Sequence, residues 1–253
     1  MIGVILAAGM AKRLRPLTDT KPKCLLTVGN RTLLQRTVDA MAATGITEFV
    51  VVTGYRGDMI REFLTSNFIP EQSSPTRSLL PFTFQFLHNA DYEHNNNIFS
   101  LWMAMQQLHG QEVLLMDSDI LCDPEAVSRV ARQDSSALAV QRHELGEEEM
   151  KVVVDEAGCI TEISKTCSVA SAIGESVGIE KMTTSYTEAL YQELKQMIEQ
   201  EGLIDIFYER AFERLIPQSH SFKVVDTTDL FSYELDTPED FQRATASLPA
   251  ELY

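Results

Sequence analysis

The chain is poor in several things, and each shortage closes off a class of function. Over 253 residues it carries 21 Lys and Arg against 37 Asp and Glu, a net charge of −16. That deficit of positive charge argues against nucleic acid or an anionic membrane as a general partner. Its four cysteines, Cys24, Cys122, Cys159 and Cys167, show no C-x-x-C spacing and no partner histidines at zinc-like intervals. They read as reduced thiols of a cytosolic protein. The opening apolar run ends within about ten residues at Lys12 and has no basic stretch before it. It is too short for a membrane span and lacks the flanks of a signal peptide, so a cytoplasmic location is expected. Glycine is sparse where two familiar phosphate loops require it. No Gly-x-x-x-x-Gly-Lys-Ser/Thr occurs, and only Gly9 stands where a dinucleotide fingerprint needs three glycines.

What is present is concentrated in residues 1–28. The run Ile2-Gly3-Val4-Ile5-Leu6 breaks at Ala7-Ala8-Gly9 and is followed by Lys12, Arg13, Arg15, Lys21 and Lys23. A short apolar run of this kind reads as a buried strand. The small residues Ala7, Ala8 and Gly9 after Leu6 let a ligand approach the backbone. Exposed amides and several cations at a strand's carboxyl end suit a polyphosphate. In a chain this acidic, such a basic loop is informative; the bland alternative is a strand followed by a solvated turn.

The rest of the chain alternates. Leu33 to Thr44 has helical spacing and closes at Gly45; Glu48 to Thr53 is a second apolar strand, and Asp58 to Asn67 a second helix. This β-α-β-α opening implies a parallel sheet with right-handed crossovers. The polar, proline-bearing stretch Pro70 to Pro81 reads as a mobile surface loop. Phe82 to Leu87 resumes strand character, Asn95 to Ala104 reads as a loop entering a helix, and Val113 to Met116 is a strand fit for a sheet centre. Ala137 to Val140, Lys151 to Val154, Cys159 to Ile163 and Ser171 to Ile179 are short strand candidates, with a turn at Asp155 to Gly158. Helices are expected over Tyr186 to Glu201 and Ile204 to Ile216, and strands over Phe222 to Val225 and Leu230 to Leu235. Thr237-Pro238-Glu239-Asp240 carries the cap, proline and acids of a helix start. The fold class read from this pattern is α/β, one domain with a substrate-facing insertion between roughly 140 and 225.

Two acids stand just past apolar strands. Asp119 follows Val113–Met116 and Asp236 follows Leu230–Leu235. In open α/β sheets the ligand crevice lies beyond the carboxyl ends of the strands, so these carboxylates are candidates to face one another as Mg²⁺ ligands. Asp117, two residues before Asp119, is the rival. Lys23, fixed by Pro22, and Arg13 are the candidate catalytic cations, suited to charge that develops on phosphate oxygens. The amides of Asn95, Asn96 and Asn97 suit either a base edge or a helix cap, and chemistry alone leaves the two open. Trp102 and Tyr186 are candidates for a cation-binding cage, with core packing as the ordinary alternative. No histidine shows a catalytic pairing.

The stretch Leu6-Ala7-Ala8-Gly9-Met10-Ala11-Lys12-Arg13-Leu14-Arg15-Pro16-Leu17-Thr18, closed by Pro22-Lys23, resembles the signature of the nucleotidylyltransferases that make nucleotide-sugars and related activated compounds. One departure stands out: Ala11 occupies the place of the family's second glycine. The resemblance implies a Rossmann-like, mixed but mostly parallel sheet flanked by helices, with a substrate-facing β insertion, a nucleotide-binding part about 1–140 and 226–253 and an acceptor-binding part about 141–225. It also implies that Asp119 and Asp236 hold Mg²⁺, that Arg13 holds the β- and γ-phosphates, and that Lys23 holds the α-phosphate and acceptor. Asn96-Asn97-Ile98-Phe99-Ser100-Leu101 resembles a stretch of the phosphocholine and aminoethylphosphonate cytidylyltransferases. It implies that Asn96, Asn97 and Ser100, with Asp117, belong to the nucleotide site. By the same resemblance Lys165 contacts the acceptor phosphate, and Glu175 binds acceptor hydroxyls or an ammonium. The implied activity is Mg²⁺-dependent nucleotidyl transfer, with CTP the preferred donor, to a small phosphorylated or phosphonate acceptor, releasing pyrophosphate. Two alternatives stand beside it: a sugar-1-phosphate uridylyl-, thymidylyl- or guanylyltransferase, and a nucleotide-binding regulatory protein without turnover, the latter motivated by Ala11. Assembly into a homo-oligomer is left open.

Overall fold

The computed structural model describes residues 1–69 and 82–253; the loop expected over 70–81 lies outside the described residues. Chain order runs β1 (Ile2–Ala7), β2 (Thr27–Val28), β3 (Arg31–Thr32), α1 (Leu33–Ala43), β4 (Glu48–Thr53) and α2 (Gly57–Phe68). Then come β5 (Thr83–His88), α3 (Asn97–Leu108), β6 (Val113–Asp117), β7 (Ile120–Cys122), α4 (Pro124–Ala131), β8 (Ala137–Gln141), β9 (Lys151–Val154) and β10 (Ile160–Ser164). The chain continues with β11 (Gly174–Met182), α5 (Thr184–Lys195), α6 (Glu209–Leu215), β12 (Lys223–Asp226), β13 (Ser232–Glu234) and α7 (Pro238–Ser247).

A nine-stranded sheet follows the path β10-β9-β11-β6-β1-β4-β5, with β8 also on β11 and β12 on β8. Strands β1, β4, β5, β6, β8, β9 and β12 run one way; β10 and β11 run the other. The sheet is therefore mixed and mostly parallel, with helices on both faces. Alternation along β1 shows why. Val4 and Leu6 join the core under α3, α5 and α6, while Ile5 and Ala7 join the core under α1, α2 and α4. Both faces being covered, the central strands can be apolar throughout, as the sequence expectation for Val113 to Met116 required. The expected β insertion takes a particular form: β9, β10 and β11 extend the central sheet itself. No helix among the described residues is long and apolar enough to cross a membrane.

Several elements differ from expectation, each for a local reason. The strand ending before Asp236 is shorter than Leu230 to Leu235 and lies outside the main sheet: β13 pairs with β7 in a separate antiparallel ribbon. Helix α5 ends at Lys195 in a turn of π-helix over Gln196–Gln200. The next helix starts at Glu209 instead of Ile204, because residues before it bind the start of α3: the Asn96 N–H donates to Ile204 O (2.9 Å), and the Tyr208 N–H donates to Asn97 Oδ1 (2.9 Å). Helix α4 lies where no element is expected, although Asp123-Pro124-Glu125 is the same start signal as Thr237-Pro238-Glu239. The final helix has the expected form, with a reciprocal capping box between Thr237 and Asp240.

Ala11 sits at φ 47° and ψ 53°, so the loop after β1 keeps the left-handed conformation that glycine favours. Its carbonyl accepts from Leu14 N and Thr18 Oγ1, both at 3.0 Å, and Leu14 is fully buried beside it. These contacts hold an L-residue in a region that costs it about 1–2 kcal/mol. Glycine would remove that cost but enter folding with more entropy to lose, about 0.4–1 kcal/mol. Ala11→Gly is therefore expected to raise stability by about 0.5–1 kcal/mol in urea unfolding; a destabilised variant would mean that the alanine is not strained.

Candidate active site

The loop after β1 and the end of β6 form one wall of a crevice, and the β7–β13 ribbon forms the other. Asp119 lies between β6 and β7, and Asp236 lies just after β13. The ribbon pairs Glu234 with Ile120, and Leu235 N donates to Asp119 O (3.3 Å), so the two aspartates are held side by side. Between them sits Lys23, delivered by a 3-10 turn over Lys23–Leu25. Its ammonium donates to Asp119 Oδ2 at 2.9 Å and to Asp236 Oδ1 at 2.8 Å. Arg13 also pairs with Asp236. Lys23 is only 8% exposed. Burial alone would lower its pKa, but the two aspartates outweigh burial and hold it raised. For Asp236, burial works toward protonation while Lys23 and Arg13 prevail and lower its pKa.

A third carboxylate, Glu234, joins the pair: ligand atoms of Asp119, Glu234 and Asp236 lie within 4.8 Å of one another. Desolvation in the crevice, then Asp119 and Asp236, push Glu234 up to about 8. Three convergent carboxylates are a hard-oxygen donor set, which fits a divalent cation of the Mg²⁺ type. The sequence reading missed Glu234, although Glu234 and Asp236 stand two apart at the end of a strand, where side chains alternate.

Two cavities meet at this cluster. The first, about 520 Å³, is lined by Leu6 to Arg13, Lys23, Asn89, Asn95 to Asn97, Ser100 and the acids Asp117, Asp119, Glu234 and Asp236. Every expected nucleotide-site residue lies on this wall. Of the other loop cations Lys12 lines it, whereas Arg15 turns to Asp19 at 3.4 Å. Gly54 backs the wall, where a Cβ would stand 2.6 Å from Ala8 O. The second cavity, about 760 Å³, shares Arg13, Asn97, Phe207 and the acids with the first, and adds His143, Glu148, Glu149, Lys165, Glu175 and Glu209. The Lys165 ammonium lies 4.8 Å over the Phe207 ring and 3.5 Å from Glu148. Glu175 carries its acid toward His143 Nε2 at 2.8 Å. Burial raises the Glu175 pKa despite that histidine. The His143–Glu175 pair went unseen in the sequence because the partners are 32 residues apart.

The three asparagines divide their tasks. Asn95 exchanges amide hydrogen bonds with Asn89 (2.8 and 3.1 Å). Asn96 caps α3, accepting from Asn97 N at 2.8 Å. Asn97 accepts the Tyr208 N–H; since a backbone N–H can only donate, the atom facing it is Oδ1, which leaves the Nδ2 amino group for the cavity. Ser100 is 2% exposed and its Oγ accepts from Asn89 Nδ2 at 3.2 Å. Asp117 does not join the three-carboxylate cluster. It accepts from the Tyr208 hydroxyl at 3.0 Å, and burial followed by the Asp119 charge raises its pKa well above the ordinary range. Gly178, at φ 75°, makes room for it: a Cβ there would stand 3.1 Å from Asp117 Oδ2. Trp102 and Tyr186 are core residues, 5% and 2% exposed, and form no cage; Phe207 lines both cavities, Tyr92 the first, and Phe231 and Tyr233 the second.

Behind Asp117 lie two further acids that the sequence reading did not single out. Glu180 is fully buried, and neither carboxylate oxygen has a hydrogen-bond partner. Burial, then Asp117 and Glu209, raise its pKa well above the ordinary carboxylate range. Burial pushes Glu209 up to about 7. A glutamate raised in the folded state holds a proton that the unfolded chain has lost, so stability is full below the unfolded pKa and falls as pH rises to the folded one. The thermal midpoint is expected to fall between about pH 4.5 and 7, and Glu209→Gln to flatten that fall. An unchanged slope in the variant would assign the titration to another group.

Residues 3–215 match the family of MobA-like NTP transferase domains. The chain is similar to CMP-5'-(3-aminopropyl)phosphonate synthase of Streptomyces rubellomurinus, 27% identical over 95% of this chain and 38% of that protein. It is also similar to CTP:phosphoglutamine cytidylyltransferase of Campylobacter jejuni, 25% identical over 63% of this chain and 54% of that protein. The chain thus spans about four-tenths to one-half of the length of these curated relatives. Among solved structures, the CTP:phosphocholine cytidylyltransferase of Streptococcus pneumoniae shares the fold at a TM-score of 0.77, with 17% identity, over 98% of this chain and 99% of that one. The match over residues 3–215 establishes that the chain, with its mixed, mostly parallel sheet, belongs to the MobA-like NTP transferase domains, a nucleotidyltransferase family.

Proposed function

We propose that the protein transfers a cytidylyl group from CTP to a small phosphonate or phosphate acceptor that carries an amine. The observation that carries this reading is the junction of two cavities at Lys23, Asp119, Glu234 and Asp236, one wall being the backbone loop Leu6 to Arg13. Two substrates meeting at one set of charges is the requirement of group transfer between them. Residues of 1–140 and 226–253, with Phe207, supply the nucleotide side, and those of 141–225 supply half of the acceptor side.

In this reading the triphosphate lies along Ala7 to Arg13, with Lys12 and Arg13 on its outer phosphates and Lys23 beside the α-phosphate. An oxygen of the acceptor's phosphonate or phosphate attacks the α-phosphorus as the bond to the β-phosphate breaks, and pyrophosphate leaves with that electron pair. The attacking oxygen is already anionic, so no general base is needed. The catalytic work is positioning and charge. Asp119, Glu234 and Asp236 would hold Mg²⁺, which supplies positive charge against the phosphate oxygens. Lys23 then has a second partner, since its ammonium serves phosphate oxygens as readily as carboxylates.

Asn97 supports the choice of CTP. With Oδ1 fixed on Tyr208 N, its Nδ2 can only donate. Cytosine presents N3 and O2 as adjacent acceptors, whereas uracil carries a hydrogen on N3. A misfit leaves polar groups unpaired at about 1–3 kcal/mol each. The acceptor cavity suits a zwitterion. Lys165 and Arg13 can meet its anionic end, while Glu175 and the buried Glu209, whose Oε2 has no partner, can meet an ammonium. The relatives' names point the same way for those proteins: an aminopropylphosphonate, phosphoglutamine and phosphocholine.

Pyrophosphate release is expected with CTP at least tenfold faster than with UTP, measured with aminoalkylphosphonates, phosphocholine and sugar 1-phosphates as acceptors. Asn97→Asp keeps the acceptor for Tyr208 N but replaces the donor with oxygen, and is expected to erase the CTP preference. A wild-type preference for UTP, dTTP or GTP would instead move the protein to the sugar-phosphate branch.

Lys23→Ala is expected to lower kcat by about 10²–10³, the loss typical of one charge partner of the transition state. Asp119→Asn and Asp236→Asn are expected to lose turnover and their response to Mg²⁺ together. Nucleotide binding without pyrophosphate release by wild type, with every donor and acceptor, would mark a binding protein instead of an enzyme.

A further inference from the structure

Lys151 is the first residue of β9 and is 2% exposed. A buried ammonium is normally balanced by a carboxylate. This one is met by three backbone carbonyls: Lys165 O at 2.7 Å, Glu149 O at 3.2 Å and Glu147 O at 3.4 Å. An ammonium has three hydrogens, and each has a carbonyl of its own.

The positions of those carbonyls matter. Glu147 and Glu149 belong to residues 142–150, which link β8 to β9 without regular helix or strand. Lys165 follows β10 directly. The first segment contributes His143, Glu148 and Glu149 to the acceptor cavity, and the second contributes Lys165. Lys151 therefore ties together two separate segments of that cavity. The linker's other ties are the Arg142 N–H on Thr228 Oγ1 (2.9 Å), the Arg142 guanidinium on Asp226 (2.9 Å), His143 on Glu144 O (2.9 Å) and on Glu175 (2.8 Å), the Gly146 N–H on Glu149 Oε2 (2.8 Å) and the Ser176 N–H on Met150 O (2.8 Å); the Lys165 ammonium at 3.5 Å from the exposed Glu148 joins the same two segments. The nucleotide cavity, by contrast, is lined by no residue of either segment. The Lys151 ammonium is 2% exposed, so water screens its hydrogen bonds less than those of the partly exposed Arg142, His143 and Lys165 side chains.

We propose that Lys151 is a positioning residue for the acceptor: it fixes the spacing between the 142–150 linker and Lys165, and thereby sets acceptor affinity without acting on the nucleotide. This rests on the two-substrate reading above. A hydrophobic residue would fill the same buried place, but it could not gather three carbonyls from two segments. Arginine retains the charge, yet its planar fork cannot reproduce three convergent hydrogen bonds.

The test compares wild type with Lys151→Met, which keeps the apolar stem and removes the ammonium, and with Lys151→Arg. Acceptor KM is measured with phosphocholine and 3-aminopropylphosphonate, CTP KM and kcat alongside, and hydrogen exchange across 142–150. Lys151→Met is expected to raise acceptor KM at least tenfold, with CTP KM and kcat within about twofold and faster exchange in the linker. Lys151→Arg is expected to raise acceptor KM about threefold. Faster exchange with unchanged acceptor KM overturns the proposal, as does an equal rise of both KM values. If Lys151→Met fails to fold, Lys151→Arg decides by the same split between the two substrates. If wild type releases no pyrophosphate with any acceptor, the functional reading fails separately. Lys151 is then judged by calorimetry with phosphocholine: weaker binding by the variant supports the tie, and equal or no binding by wild type overturns it.

Discussion

The ammonium of Lys23 between Asp119 and Asp236 is the contact on which the active-site geometry depends. Two carboxylates belonging to different elements, one at the end of β6 and one past the β7–β13 ribbon, would repel across a narrow crevice. With Lys23 at 2.9 and 2.8 Å from them, the ribbon can close against the sheet. The protein is already acidic, with a net charge of −16, and the same crevice holds Glu234 and Asp117 as well. Their raised pKa values are the residue of repulsion and burial that Lys23 does not cancel. A crevice built this way is primed for exchange of partners. On the proposed reading, phosphate oxygens and a divalent cation satisfy separately the two kinds of charge that Lys23 and the aspartates satisfy together before substrates arrive.

How much of this was legible depended on whether a signal was local. The strand Ile2–Ala7, the cationic loop after it and Asp119 past Val113–Met116 are contiguous in sequence, and hydrophobic runs with sharp ends reveal them. Asp236 was also found as an acid after a strand, but the strand's partner was not. The pairing of Ser232–Glu234 with Ile120–Cys122 joins segments of three residues each, too short to show a period. The late start of the helix at Glu209 depends on Asn97, 111 residues away from Tyr208. Glu180 shows a different limit. An acid within Gly178-Ile179-Glu180-Lys181 could face either side of a strand, and only tertiary packing makes it fully buried. Helix α4 has a local signal in Asp123-Pro124-Glu125, a cap followed by proline and an acid.

Ala11 illustrates how a departure from a pattern is absorbed. Glycine is favoured at left-handed positions because an L-side chain crowds the following carbonyl. Here the conformation is nevertheless kept, because the loop is held from several sides. Leu14 is buried, Thr18 binds the Ala11 carbonyl, and the Tyr55 hydroxyl donates to Thr18 O at 2.9 Å. The strain is therefore carried by packing elsewhere in the loop. Ala11 itself adopts the left-handed conformation that glycine favours, which weakens the motive it offers for a protein without turnover.

Among the residues that line both cavities, Asn97 reaches each side through a different atom. Asn97 begins α3, and its carboxamide has two unlike ends. Oδ1 holds the Tyr208 backbone, and the Tyr208 hydroxyl in turn reaches Asp117 at 3.0 Å. The same turn places Phe207, which lines both cavities, and Glu209, which lines the second. On the proposed reading, a base that engages Nδ2 would press on the peptide that places Phe207 and Glu209, and an acceptor that engages Glu209 would press back on the amide. Such a coupling would be reciprocal by thermodynamic necessity.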